Sequence, residues 1–154
     1  MIIAIDPGTT ESAYVAYHRG EIKGFAKLDN EELLDSIKAG QYDPDLYVIE
    51  MIASYGMPVG REVFETCVWI GRFMEAAGGS ADFVYRKDVK MHLCGTTRAK
   101  DGNVRQAIMD LYGSSKQESI GLKKSPGPLY GISGDVWAAL GVAITHQAKR
   151  LPIE

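Results

Sequence analysis

Cysteine is scarce in this chain. Cys67 and Cys94 are the two in 154 residues, too few for a disulfide scaffold and without the spacing of a metal site. The expectation is a reduced, cytoplasmic protein with buried thiols. Long apolar runs are missing as well. No stretch approaches the roughly 20 residues that a membrane helix needs. The apolar opening Met1–Ile5 stops at Asp6, too short for the core of a signal peptide. No membrane partner is therefore expected. Repeats, low-complexity tracts and linkers are also lacking, so residues 1–154 read as a single domain. Nor does one sign of charge dominate, the formal net charge being −3. Finally, His18, His92 and His146 have no evident nucleophile partner, which leaves serine- and cysteine-based catalysis without candidates.

What is present is an ordinary globular composition, 45% hydrophobic and 24% charged, with an uneven charge distribution. Between Arg86 and Arg105 stand six basic residues (Arg86, Lys87, Lys90, Arg98, Lys100, Arg105) against two acidic ones (Asp88, Asp101). Such a local excess suits a phosphate-binding surface.

The hydrophobic pattern predicts the order of elements. Met1–Ile5 reads as a strand ending in an Asp6-Pro7-Gly8 turn, in which proline presets one φ and glycine supplies a positive one. Ser12–His18 alternates apolar and polar residues, Arg19-Gly20 turns the chain, and Glu21–Lys27 returns as a partner strand. Asn30 is placed to cap a helix carrying Leu33, Leu34 and Ile37, with Gly40 as its stop. Tyr47–Ile52 has the near-continuous apolar pattern of a strand buried on both faces. A long helix fills Gly60–Ala77, a fifth strand Ala81–Tyr85, and further helices Gly102–Tyr112 and Gly134–Lys149. The sum is an α/β fold: a mixed five-stranded sheet, three antiparallel strands and then parallel ones, with helices on both faces.

Three acids stand where solubility does not explain them. Asp6 closes what should be the central strand. Glu50 interrupts the apolar Tyr47–Ile52, and an ionised carboxylate in a buried strand is costly unless paired or metal-bound. Asp135 opens the last helix, ahead of the packing face Val136, Ala139, Leu140 and Ala143. With the first and fourth strands in register, Asp6 and Glu50 would sit side by side and repel unless a cation occupied the gap. Hard oxygen ligands select Mg²⁺, with Mn²⁺ able to substitute. Clustered carboxylates holding such ions suit attack of water on a phosphodiester.

These motifs resemble those of the RuvC-type Holliday junction resolvases of the ribonuclease H-like superfamily. Ile2-Ile3-Ala4-Ile5-Asp6-Pro7-Gly8-Thr9-Thr10 resembles the family's opening strand with its catalytic Asp, and Val48-Ile49-Glu50 its fourth-strand Glu. Val89-Lys90-Met91-His92-Leu93-Cys94-Gly95, followed by Ala99, Lys100, Asp101, Val104 and Met109, is similar to its lysine-bearing segment. Asp135, with Ala138–Ala143 and His146, resembles its last helix. The resemblance spans nearly the whole chain. It implies a homodimer packed through the long helix and paired nicks across a four-way DNA junction. Asp6, Glu50 and Asp135 would hold the metal, and Lys90 would contact the scissile phosphate. Lys87, Arg98, Lys100, Arg105, Lys123 and Lys124 would meet the DNA backbone, whose contacts weaken with salt. Tyr55 would stack on an unpaired base. One departure stands out: the family's second acid in the last helix, one turn after the first, is here Ala138, a loss for which Asp88 or Asp101 could compensate, though neither is counted among the expected metal ligands.

Three rival readings share these features. An actin-like sugar kinase begins with a similar Asp-Pro-Gly-Thr-Thr, but encloses nucleotide with a second domain that this chain has no length for. A YqgF-like RNA-processing nuclease shares the acid cluster and sheet. A noncatalytic DNA-binding module with a decayed site would account for Ala138.

Overall fold

The computed structural model describes residues 1–150. Strands β1 (Ile2–Asp6), β2 (Glu11–His18) and β3 (Glu21–Asp29) are followed by helix α1 (Asn30–Lys38), strand β4 (Leu46–Met51) and helix α2 (Arg61–Ala76). Strand β5 (Ala81–Tyr85) runs directly into α3 (Arg86–Cys94), and α4 (Asp101–Tyr112) comes next. A one-turn helix α5 (Lys116–Ser119), a small hairpin of β6 (Gly121–Leu122) and β7 (Ser125–Pro126), and helix α6 (Val136–Arg150) complete the chain.

The main sheet has the order β3-β2-β1-β4-β5. The first three strands pair antiparallel, and β4 and β5 pair parallel with their neighbours. This is the mixed sheet expected, with β1 at its centre. Side chains of a strand alternate between faces, and here the alternation divides the core in two. Ile3, Ile5 and Ile49 pack with α1 and α2 through Leu33, Leu34, Ile37, Ile70 and Phe73. Ala4 and Val48 face the other way, against Val89, Val104, Ile108, Leu140 and Ala143 of α3, α4 and α6. By the same parity Asp6 and Glu50, two residues beyond Ala4 and Val48, fall on the α6 face.

Several local expectations are corrected. Asp6 closes β1 as expected, but Gly8 in the turn after it does not take the positive φ read for it. The cap of α1 is Asp29, whose carboxylate accepts from the Glu31 N–H; Asn30 is buried in the first turn and is used elsewhere. The segment Arg86–Cys94 is itself a helix, ended by Gly95 in the left-handed conformation, φ 74°. The last helix begins at Val136, and the Asp135 carbonyl accepts from the Ala139 N–H. Cys67 and Cys94 are free and half-buried. Among the described residues no helix is long and apolar enough to cross a membrane.

Candidate active site

One row of residues crosses the sheet at the end of β1. Asp6 pairs with Ala13 of β2, and Ala13 with Lys27 of β3. On the other side Ile5 pairs with Ile49, which sets Asp6 beside Glu50, and Glu50 pairs with Val84 of β5. Directly paired residues project to the same face. The row Lys27, Ala13, Asp6, Glu50, Val84 therefore presents a cation, a small side chain and two acids towards α6. Asp135 meets it from above, its carboxylate 2.8 Å from Lys27 Nζ.

The loop after Asp6 is tied down by Asn30. Its amide donates to the Gly8 carbonyl at 2.9 Å. Its Oδ1 accepts from Ser12 Oγ at 2.6 Å, and that hydroxyl accepts from the Gly8 N–H at 3.1 Å. The Asn30 N–H donates to the Thr10 carbonyl. Gly8 is required here by space, because a Cβ at this position would meet the Glu11 carbonyl oxygen at 2.3 Å.

These carboxylates line a cleft of about 390 Å³ that also includes Arg86, Asp101, Arg105, Trp137 and Ala138. Burial, and then the charges of Glu50 and Asp135, push the Asp6 carboxyl up to about 8. Burial also raises Glu50, opposed chiefly by the Arg86 guanidinium. Glu50 Oε2 is buried and has no hydrogen-bond partner among the described residues. A desolvated pair of neighbouring acids with an unsatisfied oxygen suits a hard divalent cation, which offsets the repulsion and fills the missing contact. Asp135 lines the same cleft but is held by Lys27. Among the described residues no three acidic, histidine or cysteine side chains converge as a ready-made metal cage. Asp6 and Glu50 thus fit a cation, and Asp135 would join them on release from Lys27.

The other expected residues divide into two groups. Lys90 lies beside the cleft on α3, one turn after Arg86, and its charge acts on Glu50. Tyr55, Lys87, Lys90, Arg86 and Thr97 line an adjoining cleft. Tyr55 is exposed, sits at positive φ of 51°, and carries the Lys87 ammonium 5.2 Å from its ring. Arg98 and Lys100 are exposed between α3 and α4. Arg105 lies over the Trp137 ring at 5.8 Å. Lys123 and Lys124 stand apart: they form the β6–β7 turn and line neither cleft. Pro128, just past that hairpin, packs by Gly20–Lys23 and Tyr112, at the opposite end of the sheet from Asp6. His146 is a core residue, its Nε2 3.0 Å from Asp82 Oδ2, while His18 and His92 are exposed. Asp88 pairs with Lys149 at 3.6 Å and does not line the acidic cleft.

Lys27, Asn30 and Arg86 escaped sequence reasoning as site residues. Cross-strand register is the signal that would have found Lys27, because it pairs with the partner of Asp6. Arg86 was visible only as part of a basic run.

The fold is ribonuclease H-like, and the site falls where its central strands end. Its solved neighbours include RuvC and a poxvirus resolvase. Thermus thermophilus RuvC aligns with a TM-score of 0.65 and 18% identity, over 95% of this chain and 92% of that one. T. thermophilus RuvC in complex with Holliday junction substrate aligns at 0.58 and 18%, over the same shares of the two chains. Fowlpox virus resolvase with substrate Holliday junction DNA aligns at 0.55 and 13%, over 97% of this chain and 99% of that one. At these identities the likeness establishes the fold. No family model matches the sequence, and no curated protein does.

Proposed function

We propose that this protein is a Mg²⁺-dependent endonuclease that resolves four-way DNA junctions by paired nicks, acting as a homodimer. The observation that carries the reading is the placement of Asp6 and Glu50. They are adjacent on one face at the ends of parallel strands, with Asp135 above them, in a fold whose solved neighbours include two bound to Holliday junctions.

Asp6 and Glu50 would hold the cation, and Asp135 would complete its shell. A divalent ion held there would supply Lewis-acid stabilisation of the phosphate and would make water a better nucleophile. The protein's own part is positioning. Asn30 and Ser12 fix the backbone after Asp6, and Lys90 places positive charge beside the cleft for the backbone phosphate. Tyr55 and Lys87 form an exposed ring-and-cation surface on which an unpaired base can stack. Arg98, Lys100 and Arg105 extend the phosphate-binding surface. Phe64 and Val68, one turn apart on α2, are each 62% exposed. Apolar side chains so presented suit a second copy of the chain, which would bring two active sites to the two strands of a junction.

A labelled four-way junction, a matched duplex and a single strand, each with and without Mg²⁺, test the reading. Symmetric nicks confined to the junction and dependent on the metal are the expected result, lost in Asp6→Asn and Glu50→Gln while junction binding persists. Cleavage of all three substrates would make the protein a broader nuclease. A second reading, a noncatalytic junction-binding module, draws on Ala138 in the cleft wall and on the engagement of Asp135 by Lys27. Tight junction binding with no cleavage in Mg²⁺ or Mn²⁺ would establish it instead.

A further inference from the structure

Among the described residues, Arg86 is the one that lines both the acidic cleft and the neighbouring cleft of Tyr55, Lys87, Lys90 and Thr97. It opens α3 directly from β5, so its backbone is fixed by strand and helix alike, and Val89 one turn on is fully buried. The first turn of α3 has no side-chain cap, which leaves its partial positive charge beside the guanidinium.

The two ends of that guanidinium are treated differently. Nη1 is buried and has no hydrogen-bond partner among the described residues. Nη2 donates to Asp101 Oδ1, and the Asp101 side chain is 82% exposed. A buried donor left unmade is costly, whereas an ion pair to so exposed a carboxylate is weak and readily exchanged. The planar fork matches a phosphate through two parallel N–H bonds. A phosphate oxygen that reaches Nη1 would take up the free donor.

We infer that Arg86 is the residue that grips the backbone phosphate at the mouth of the acidic cleft, and that Asp101 is a positioning residue that holds the guanidinium ready. When the phosphate arrives, Arg86 exchanges Asp101 for it. The inference rests on the nuclease reading for its substrate, but its donor geometry is this chain's own. It separates the duties of two cations on one helix face: Arg86 grips the phosphate at the acids, and Lys90, one turn later, attracts the flanking backbone.

The test uses the full-length protein with a synthetic four-way junction and a matched duplex. Binding is measured without metal across a salt series, and single-turnover cleavage separately in Mg²⁺. A lost phosphate contact lowers the slope of log affinity against log salt by about 0.9. Arg86→Gln should show that fall on both DNAs and a cleavage loss of about 100-fold or more. Arg86→Lys should restore the slope but only part of the rate, and it keeps the test alive should the glutamine variant fold poorly. Asp101→Asn should leave the slope and the Mg²⁺-induced rise in melting temperature unchanged and slow cleavage several-fold. A wild-type salt slope in a folded Arg86→Gln protein overturns the assignment, since mere neutralisation of the acids would leave the slope alone. Loss of Mg²⁺-induced stabilisation in Asp101→Asn overturns it too, making Asp101 a cation ligand. If the wild type binds duplex but never nicks a junction, the resolvase reading fails, while the slope still reports on the phosphate grip.

Discussion

Asp6 is governed by desolvation. In the folded, metal-free protein its carboxyl titrates near 8 against an ordinary value of 3.8. A group raised in this way favours folding fully below its unfolded value, and that contribution is lost as pH rises through the folded one. Metal-free protein should therefore lose stability between about pH 4 and about pH 8 on account of this residue. Asp6→Asn should remove that part of the dependence and melt higher than the wild type at pH 8. The ranking reverses in Mg²⁺, because only the wild type gains from the ion. Melting curves at several pH values, with and without Mg²⁺, check both; equal Mg²⁺ stabilisation of the variant would remove Asp6 from the metal site. The residue's strangeness was legible beforehand, as was that of Glu50, since each puts a charge into an apolar run. Lys27 was not, because it belongs to the site only through two successive strand pairings.

Among elements, α3 shows where periodicity fails. It buries one residue completely, Val89, so its apolar pattern is too thin to announce a helix, and it follows β5 with no turn residue between. The strands and the longer helices, with wide apolar faces, were readable within a few residues. Asn30 failed for another reason. Asp29 and Asn30 are both good caps, and the choice between them was made by Gly8 and Ser12, distant in sequence. Asn30→Ala should cost about 2 kcal/mol, the price of leaving buried donors and acceptors unmatched, and should slow cleavage by loosening the backbone after Asp6. Chemical denaturation checks the first. Wild-type stability would mean that the loop holds itself without Asn30. The β6–β7 hairpin was invisible, being too short to carry a pattern. Replacing both Lys123 and Lys124 with Ala should leave the salt dependence of DNA binding unchanged, where Lys87→Ala lowers it.

At the scale of the molecule, the exposed Phe64 and Val68 define the test of assembly. Phe64→Glu with Val68→Glu should give a monomer in light scattering. That monomer should still bind and nick, but as single uncoupled cuts. A dimer that survives both changes would place the interface elsewhere. The sheet order and the two-sided core were legible in advance because alternation and chain order constrain them tightly. The convergence of α3, α4 and α6 on one cleft was not, because nothing in a linear pattern states which helix ends lie together.

The strand parity that aims Asp6 and Glu50 at α6 has a further meaning for the proposed nuclease. A slip of one residue in the pairing of β1 or β4 would send that strand's acid into the apolar layer beneath α1 and α2 and turn its core residues outward. Such a chain could neither pack nor assemble the acid pair. On the proposed reading, cutting power would therefore be withheld until register is correct, so that a misassembled copy would be a blunt tool rather than a dangerous one.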